Sequence, residues 1–125
     1  MASDRLIAVI DDEEAVLISL ESFLRSYGYA VASYTAPEAF LASIENVQPR
    51  LIITDYNMYP GMDGIELSKR VRQTFPRVPI FMISAYWDDK TLQMANDARI
   101  SIKLNKPWLP DDLLSGIERV FGSSS

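Results

Sequence analysis

Cysteine and histidine are both absent from the 125-residue sequence. Without thiols there is no disulfide scaffold, no zinc–thiolate site and no thiol nucleophile. Without imidazole a serine–histidine relay is excluded, and no side chain has an unperturbed pKa suited to general-base work near neutrality. Positive charge is scarce: 12 Lys and Arg stand against 17 Asp and Glu, a net charge of −5. Non-specific nucleic-acid binding depends on Lys and Arg neutralising phosphates, so direct nucleic-acid binding by this chain is not expected. No apolar run approaches a membrane span, and the opening MASDRLIAVIDDEE lacks the length and small-residue cleavage site of a secretory signal. No membrane association and a cytoplasmic location are therefore expected. A Walker-type glycine loop is missing too, which argues against nucleotide hydrolysis.

What remains is ordinary globular composition, 48% hydrophobic and 23% charged, at a length that fits one compact domain. The domain is placed at residues 1–121, with Gly122–Ser125 (GSSS) as a flexible tail or the start of a linker. Short solid apolar runs at Leu6–Ile10, Leu51–Thr54 and Ile80–Ser84 suit strands covered on both faces. Tyr29–Tyr34 and Ser101–Leu104 are weaker strand segments. Between them lie helical stripes. Val16, Leu17, Leu20, Phe23 and Leu24 form the first, which stops near Gly28. Thr35-Ala-Pro-Glu38 reads as a capping box for the second, and Asp63-Gly-Ile-Glu66 has the same spacing before the third, which Pro76 and Pro79 end. Asp88 or Asp89 opens a fourth helix running through Ala98, and Pro110 opens the last. Five βα repeats predict an open parallel sheet with helices on both faces, a doubly wound α/β fold.

In such sheets, ligand sites collect outside the carboxyl ends of the strands. Asp11, Asp12 and Glu13 follow the first apolar run, Asp55 the third, Ser84 the fourth and Lys106 the fifth. Singly, each group has an ordinary explanation as a solvated helix start, an Asx-turn, a cap or a surface lysine. Jointly they put carboxylates, a hydroxyl and an ammonium on one edge. Three clustered carboxylates repel unless a cation neutralises them. Oxygen-only ligands favour a hard cation, and Mg²⁺ suits a site offering two or so carboxylates plus waters and a phosphate oxygen. Three carboxylates and one lysine give a formal charge of about −2, which one Mg²⁺ cancels.

These residues resemble the receiver domain of bacterial two-component response regulators. The resemblance rests on the acidic pair in VIDDEE, the aspartate in LIITDYNM, the later PGMDG, the hydroxyl and alanine in MISA, and Lys106-Pro107 in LNKPW. It covers roughly residues 4 to 121, and five motifs in order on the right elements make it specific. It implies a flavodoxin-like (βα)5 fold with strand order 2-1-3-4-5. It also implies that Asp55 is the phosphoacceptor, forming an aspartyl phosphate. By the same resemblance Asp12 and Asp55 hold Mg²⁺ directly with the backbone carbonyl of Asn57, and Asp11 contributes directly or through water. Ser84 and Lys106 bind phosphate oxygens, and the Lys106–Pro107 bond is often cis. The domain is then a signalling switch rather than an enzyme, assisting its own phosphorylation and dephosphorylation. Its phosphoryl donor is a histidine kinase or a histidine phosphotransfer protein. Its signal passes to an output domain or partner protein through the face made by the fourth helix, fifth strand and fifth helix, where homodimerisation is also common in the family.

Three positions depart from the family pattern. Tyr59 is inserted between Met58 and Pro60, lengthening the loop beside the metal site. Lys103 stands where many members carry an aromatic switch, three residues before the lysine, so the usual buried-aromatic readout is expected to be absent or altered. Tyr86, two residues after Ser84, is expected to shield the acyl phosphate from water. Trp108 is assigned to helix packing, and Trp87 either to the partner face or to capping a loop. An alternative is a degenerate receiver that binds partners independently of phosphorylation. A flavodoxin-like redox carrier fits poorly, because acids replace its phosphate loop. An aspartyl-nucleophile phosphatase fits poorly as well, because Asp55-Tyr56-Asn57 lacks the second acid and follows the third strand.

Overall fold

A computed structural model describes residues 5–58 and 60–122. The inserted Tyr59 and the terminal Ser123–Ser125 lie outside the described residues. The elements alternate as β1 (Leu6–Ile10), α1 (Glu14–Ser26), β2 (Ala30–Tyr34), α2 (Pro37–Val47), β3 (Leu51–Asp55), α3 (Gly64–Thr74), β4 (Ile80–Ser84), α4 (Asp89–Asp97), β5 (Ile102–Asn105) and α5 (Pro110–Phe121). All strand pairs are parallel and the sheet order is β2-β1-β3-β4-β5, the flavodoxin-like order expected.

The two-residue period of the strands divides the interior into two layers. Ala8, Ile10, Ile52, Ile80 and Met82 face α2, α3 and α4 through Phe40, Ile44, Leu67, Val71 and Ala95. Ile7, Val9, Leu51, Ile53, Phe81 and Ile83 face α1 and α5 through Leu17, Leu20, Leu24, Leu113 and Ile117. β3 and β4 are buried along their whole length, which is why they read as solid apolar runs, while β2 is only partly buried throughout.

Local starts and stops follow the sequence with one correction. Asp63 caps α3 by accepting from the Glu66 N–H, and Asp88 with Thr91 forms a reciprocal capping box at α4. Gly28 ends the turn after α1 at φ +90°, a conformation in which a side chain is strained. The capping box expected at Thr35 does not form: the N-cap of α2 is Ala36, with no side-chain bond. The cause is Pro37. A residue before proline is excluded from the helical region, and Ala36 is accordingly extended at φ −139°, ψ 136°. The helix therefore starts one residue late for a Thr35 cap.

Candidate functional site

The strand register makes the carboxyl edge flush. Ile10 lies opposite Thr54, Asp55 opposite Ile83, and Ser84 opposite Asn105. Residues one step along from these partners therefore meet at one rim. Asp55 is the last residue of β3, one position further into the strand than the apolar run alone suggests. Its neighbour Tyr56 donates its N–H to the Ile83 carbonyl at 2.8 Å and accepts from the Gly64 N–H at 2.7 Å. The Lys106 N–H bonds to the Ser84 carbonyl at 3.0 Å, and the following Lys106–Pro107 peptide is cis, as the resemblance led one to expect.

Asp12, Glu13, Asp55, Asn57, Ser84, Ala85 and Lys106 line an open hollow of about 280 Å³ at this rim. Carboxylate oxygens of Asp11, Asp12 and Asp55 all lie within 4.8 Å of one another. Asp11 and Asp55 are buried, Asp12 is exposed. Asp11 Oδ1 accepts the Glu13 N–H at 2.8 Å, whereas its Oδ2 is buried with no hydrogen-bond partner among the described residues. An orphaned, buried carboxylate oxygen beside two further carboxylates is the donor set of a hard-cation site, so the residues fit a divalent ion.

Burial raises the pKa of Asp11 to about 6, helped by the charges of Asp55 and Asp12 and opposed by the Glu13 N–H and Lys106. Burial likewise raises Asp55, against the pull of the Lys106 ammonium. That ammonium lies 3.5 Å from Asp55 Oδ2 and 2.7 Å from Glu13 Oε1. Desolvation lowers the lysine pKa, but the bond to Glu13 and the nearby carboxylates outweigh it, so the net shift is upward. Lys106 is therefore a fixed positive charge.

Ser84 is buried at the rim, with its hydroxyl donating to the Tyr86 carbonyl at 3.0 Å and accepting the Tyr86 N–H at 3.2 Å. The Tyr86 side chain does not cover the hollow: it is 73% exposed, and Ala85 takes the lining position. Trp87 is partly buried, donating Nε1–H to the Leu104 carbonyl at 2.9 Å and packing on the α2–α4 layer. Trp108 packs against Phe23 with ring centroids 5.1 Å apart. Lys103 is half-buried and shares a second hollow, between β5 and α5, with Asn105, Asp112, Ser115 and Arg119.

Sequence reasoning thus named Asp11, Asp12, Asp55, Asn57, Ser84 and Lys106, and all six come together at the rim. It missed two participants. Glu13 was grouped with the acids but not paired with Lys106, and no spacing signal links residues 93 apart. Gly64 was read as part of a helix start, yet a Cβ there would lie 2.5 Å from the Asp55 carbonyl oxygen. The glycine of the PGMDG motif was the available clue.

Comparison with known proteins agrees with this fold. The family model described as the response regulator receiver domain matches residues 7–118. The transcriptional regulatory protein FixJ of Rhizobium meliloti is 31% identical over 94% of this chain and 57% of its own length. FixJ of Bradyrhizobium diazoefficiens is 33% identical over 90% and 54%. The chain spans about half the length of these curated relatives. Among solved structures, a CheY-like receiver domain protein from Methanospirillum hungatei superposes with a TM-score of 0.88 at 29% identity, covering 95% of each chain. The chemotaxis response regulator CheY4 of Vibrio cholerae gives 0.86 at 27% identity, covering 94% of this chain and 99% of that one.

Proposed function

Since the chain belongs to the response regulator receiver family, we propose that it is a signalling switch that accepts a phosphoryl group on Asp55 from a histidine kinase or a histidine phosphotransfer protein. The observation carrying this is the buried Asp55 carboxylate with the Lys106 ammonium 3.5 Å away, in a hollow that Ser84 also lines. An Asp55 oxygen attacks phosphorus, forming the P–O bond of an aspartyl phosphate. The P–N bond to the donor imidazole breaks, and its electron pair leaves with the nitrogen, which becomes neutral imidazole after proton adjustment. The donor's imidazole comes from another protein, because this chain has no histidine.

Lys106 supports the transfer by neutralising charge that develops on the phosphoryl oxygens and by favouring the ionised, nucleophilic form of Asp55. Ser84 offers a hydroxyl to a phosphoryl oxygen once it exchanges its present bonds to the Tyr86 backbone. Asp12, Asp55 and the Asn57 carbonyl, with Asp11, are the residues that would hold Mg²⁺. When bound, that ion supplies charge neutralisation and Lewis-acid stabilisation of the transferred group. Asp11, whose Oδ2 has no hydrogen-bond partner among the described residues, would contribute directly or through water. The arriving phosphoryl adds roughly two negative charges. Drawing Ser84 off the Tyr86 backbone shifts the loop into α4, which biases the α4–β5–α5 face read by an output domain or partner in the cytoplasm. The chain acts as a switch that assists its own modification and hydrolysis, not as an enzyme with a separate substrate.

Intact mass after incubation with acetyl phosphate and Mg²⁺ tests the reading. Wild type gains one phosphate and Asp55→Ala gains none. A gain that survives Asp55→Ala overturns the assignment of the acceptor, and no gain in wild type favours a phosphorylation-independent binding module.

A further inference from the structure

The ammonium at the rim is bonded more closely to a carboxylate outside the acceptor and the metal set than to the acceptor itself. Lys106 Nζ is 2.7 Å from Glu13 Oε1, within hydrogen-bond range, and 3.5 Å from Asp55 Oδ2, beyond it. Glu13 is held for this contact: its own N–H is fixed on Asp11 Oδ1 at 2.8 Å, at the start of the loop into α1. The pair ties the loop after β1 to the loop after β5, which are 93 residues apart in sequence. Glu13 also lines the hollow with Asp55 and Ser84.

We propose that Glu13 is a positioning residue, a counter-ion that parks the Lys106 ammonium at the rim and yields it to an arriving phosphoryl oxygen. The inference rests on Asp55 being the phosphoacceptor, and goes beyond that reading by assigning a residue outside the metal and phosphate ligands. A phosphoryl group carries roughly twice the charge of one carboxylate. The Glu13 side chain is 59% exposed and therefore screened by water and salt. The incoming group wins the ammonium, and the Glu13 contact is the part of the resting state that it displaces.

Displacing a contact lowers affinity, so weakening Glu13 raises it. Beryllofluoride with Mg²⁺ is the probe, titrated against the whole chain and followed by NMR at Ser84 and Lys106. Glu13→Gln is expected to tighten beryllofluoride binding about two- to fivefold, the span of an exposed ion pair. It is also expected to raise the initial rate of phosphorylation by acetyl phosphate in the same direction. Glu13→Asp keeps the charge but is one methylene too short for the 2.7 Å contact, so it should behave like Glu13→Gln. In a Lys106→Met background, Glu13→Gln should change nothing. If Glu13→Asp behaves as wild type, or Glu13→Gln acts equally without Lys106, the residue works only through its charge and the proposal is overturned. It is overturned as well if wild type takes up phosphate at Asp55 while Glu13→Gln leaves affinity and rate unchanged. Failure of wild type to bind beryllofluoride or gain phosphate instead overturns the proposed function, and this inference with it.

Discussion

Asp11 is 1% exposed, and among the described residues only one of its two oxygens has a partner. Burial lifts its pKa from 3.8 to about 6. A carboxylate whose folded pKa is raised destabilises the fold when ionised, so without metal its cost is present above about pH 6 and is relieved as pH falls toward 4. Metal-free protein should therefore gain on the order of 1–3 kcal/mol from this group between pH 7 and pH 4.5. Asp11→Asn should flatten that slope in thermal melts. A variant that keeps the wild-type slope would show that Asp11 is not the group responsible. Asp88 runs the other way, held low by its bonds to Thr91, so its contribution is lost only at more acidic pH. Among the side chains singled out in the sequence, Tyr86 behaves differently from expectation. Its position beside Ser84 was legible, but the direction of its ring was not, because a loop residue's exposure depends on what packs around it.

At the scale of elements, α3 sets how closely the helix layer approaches the end of β3. Gly64 opens that helix with its N–H on the Tyr56 carbonyl, and a Cβ at this position would meet the Asp55 carbonyl oxygen at 2.5 Å and the Tyr56 Cα at 3.2 Å. Both are backbone atoms with no rotamer to give way. Gly64→Ala should cost about 1–3 kcal/mol, as overpacking does, read as a lower denaturant midpoint with an unchanged slope. A neutral result would mean that α3 slides without loss and does not fix the end of β3. The element boundaries were legible where side chains themselves set them, as at Asp63, Asp88 and Pro110. They were illegible where backbone alone does so. α2 ends on Gln48 at φ +48°, and Arg99 after α4 takes φ +60°, positions with no glycine to mark them.

For the whole molecule, the parallel order β2-β1-β3-β4-β5 brings residues from four separate strand ends to one rim. A ligand gathering those ends binds the folded chain and has no site in the unfolded one. Mg²⁺ at about ten times its dissociation constant should add about 1.4 kcal/mol of stability at pH 7. That corresponds to a rise of roughly 5 °C in Tm for a domain of this size. Asp11→Asn should abolish most of the rise, and a wild-type Tm indifferent to Mg²⁺ would remove the metal from the proposed function. The curated relatives are about twice as long as the part of them this chain matches. Lys103 lines the hollow between β5 and α5.

The sequence by itself determined the βα rhythm, the exclusion of thiol and imidazole chemistry, and the identity of the acids, hydroxyl and lysine. Each of these depends on local periodicity or residue type. Tertiary structure alone decided that Ile10 aligns with Thr54 and Asp55 with Ile83, which turns four strand ends into one hollow. It also decided that Asp11 is buried with an oxygen that has no partner among the described residues, and that Lys106 lies closer to Glu13 than to Asp55. Burial and long-range pairing are properties of packed neighbours, and a chain read in order does not contain its neighbours.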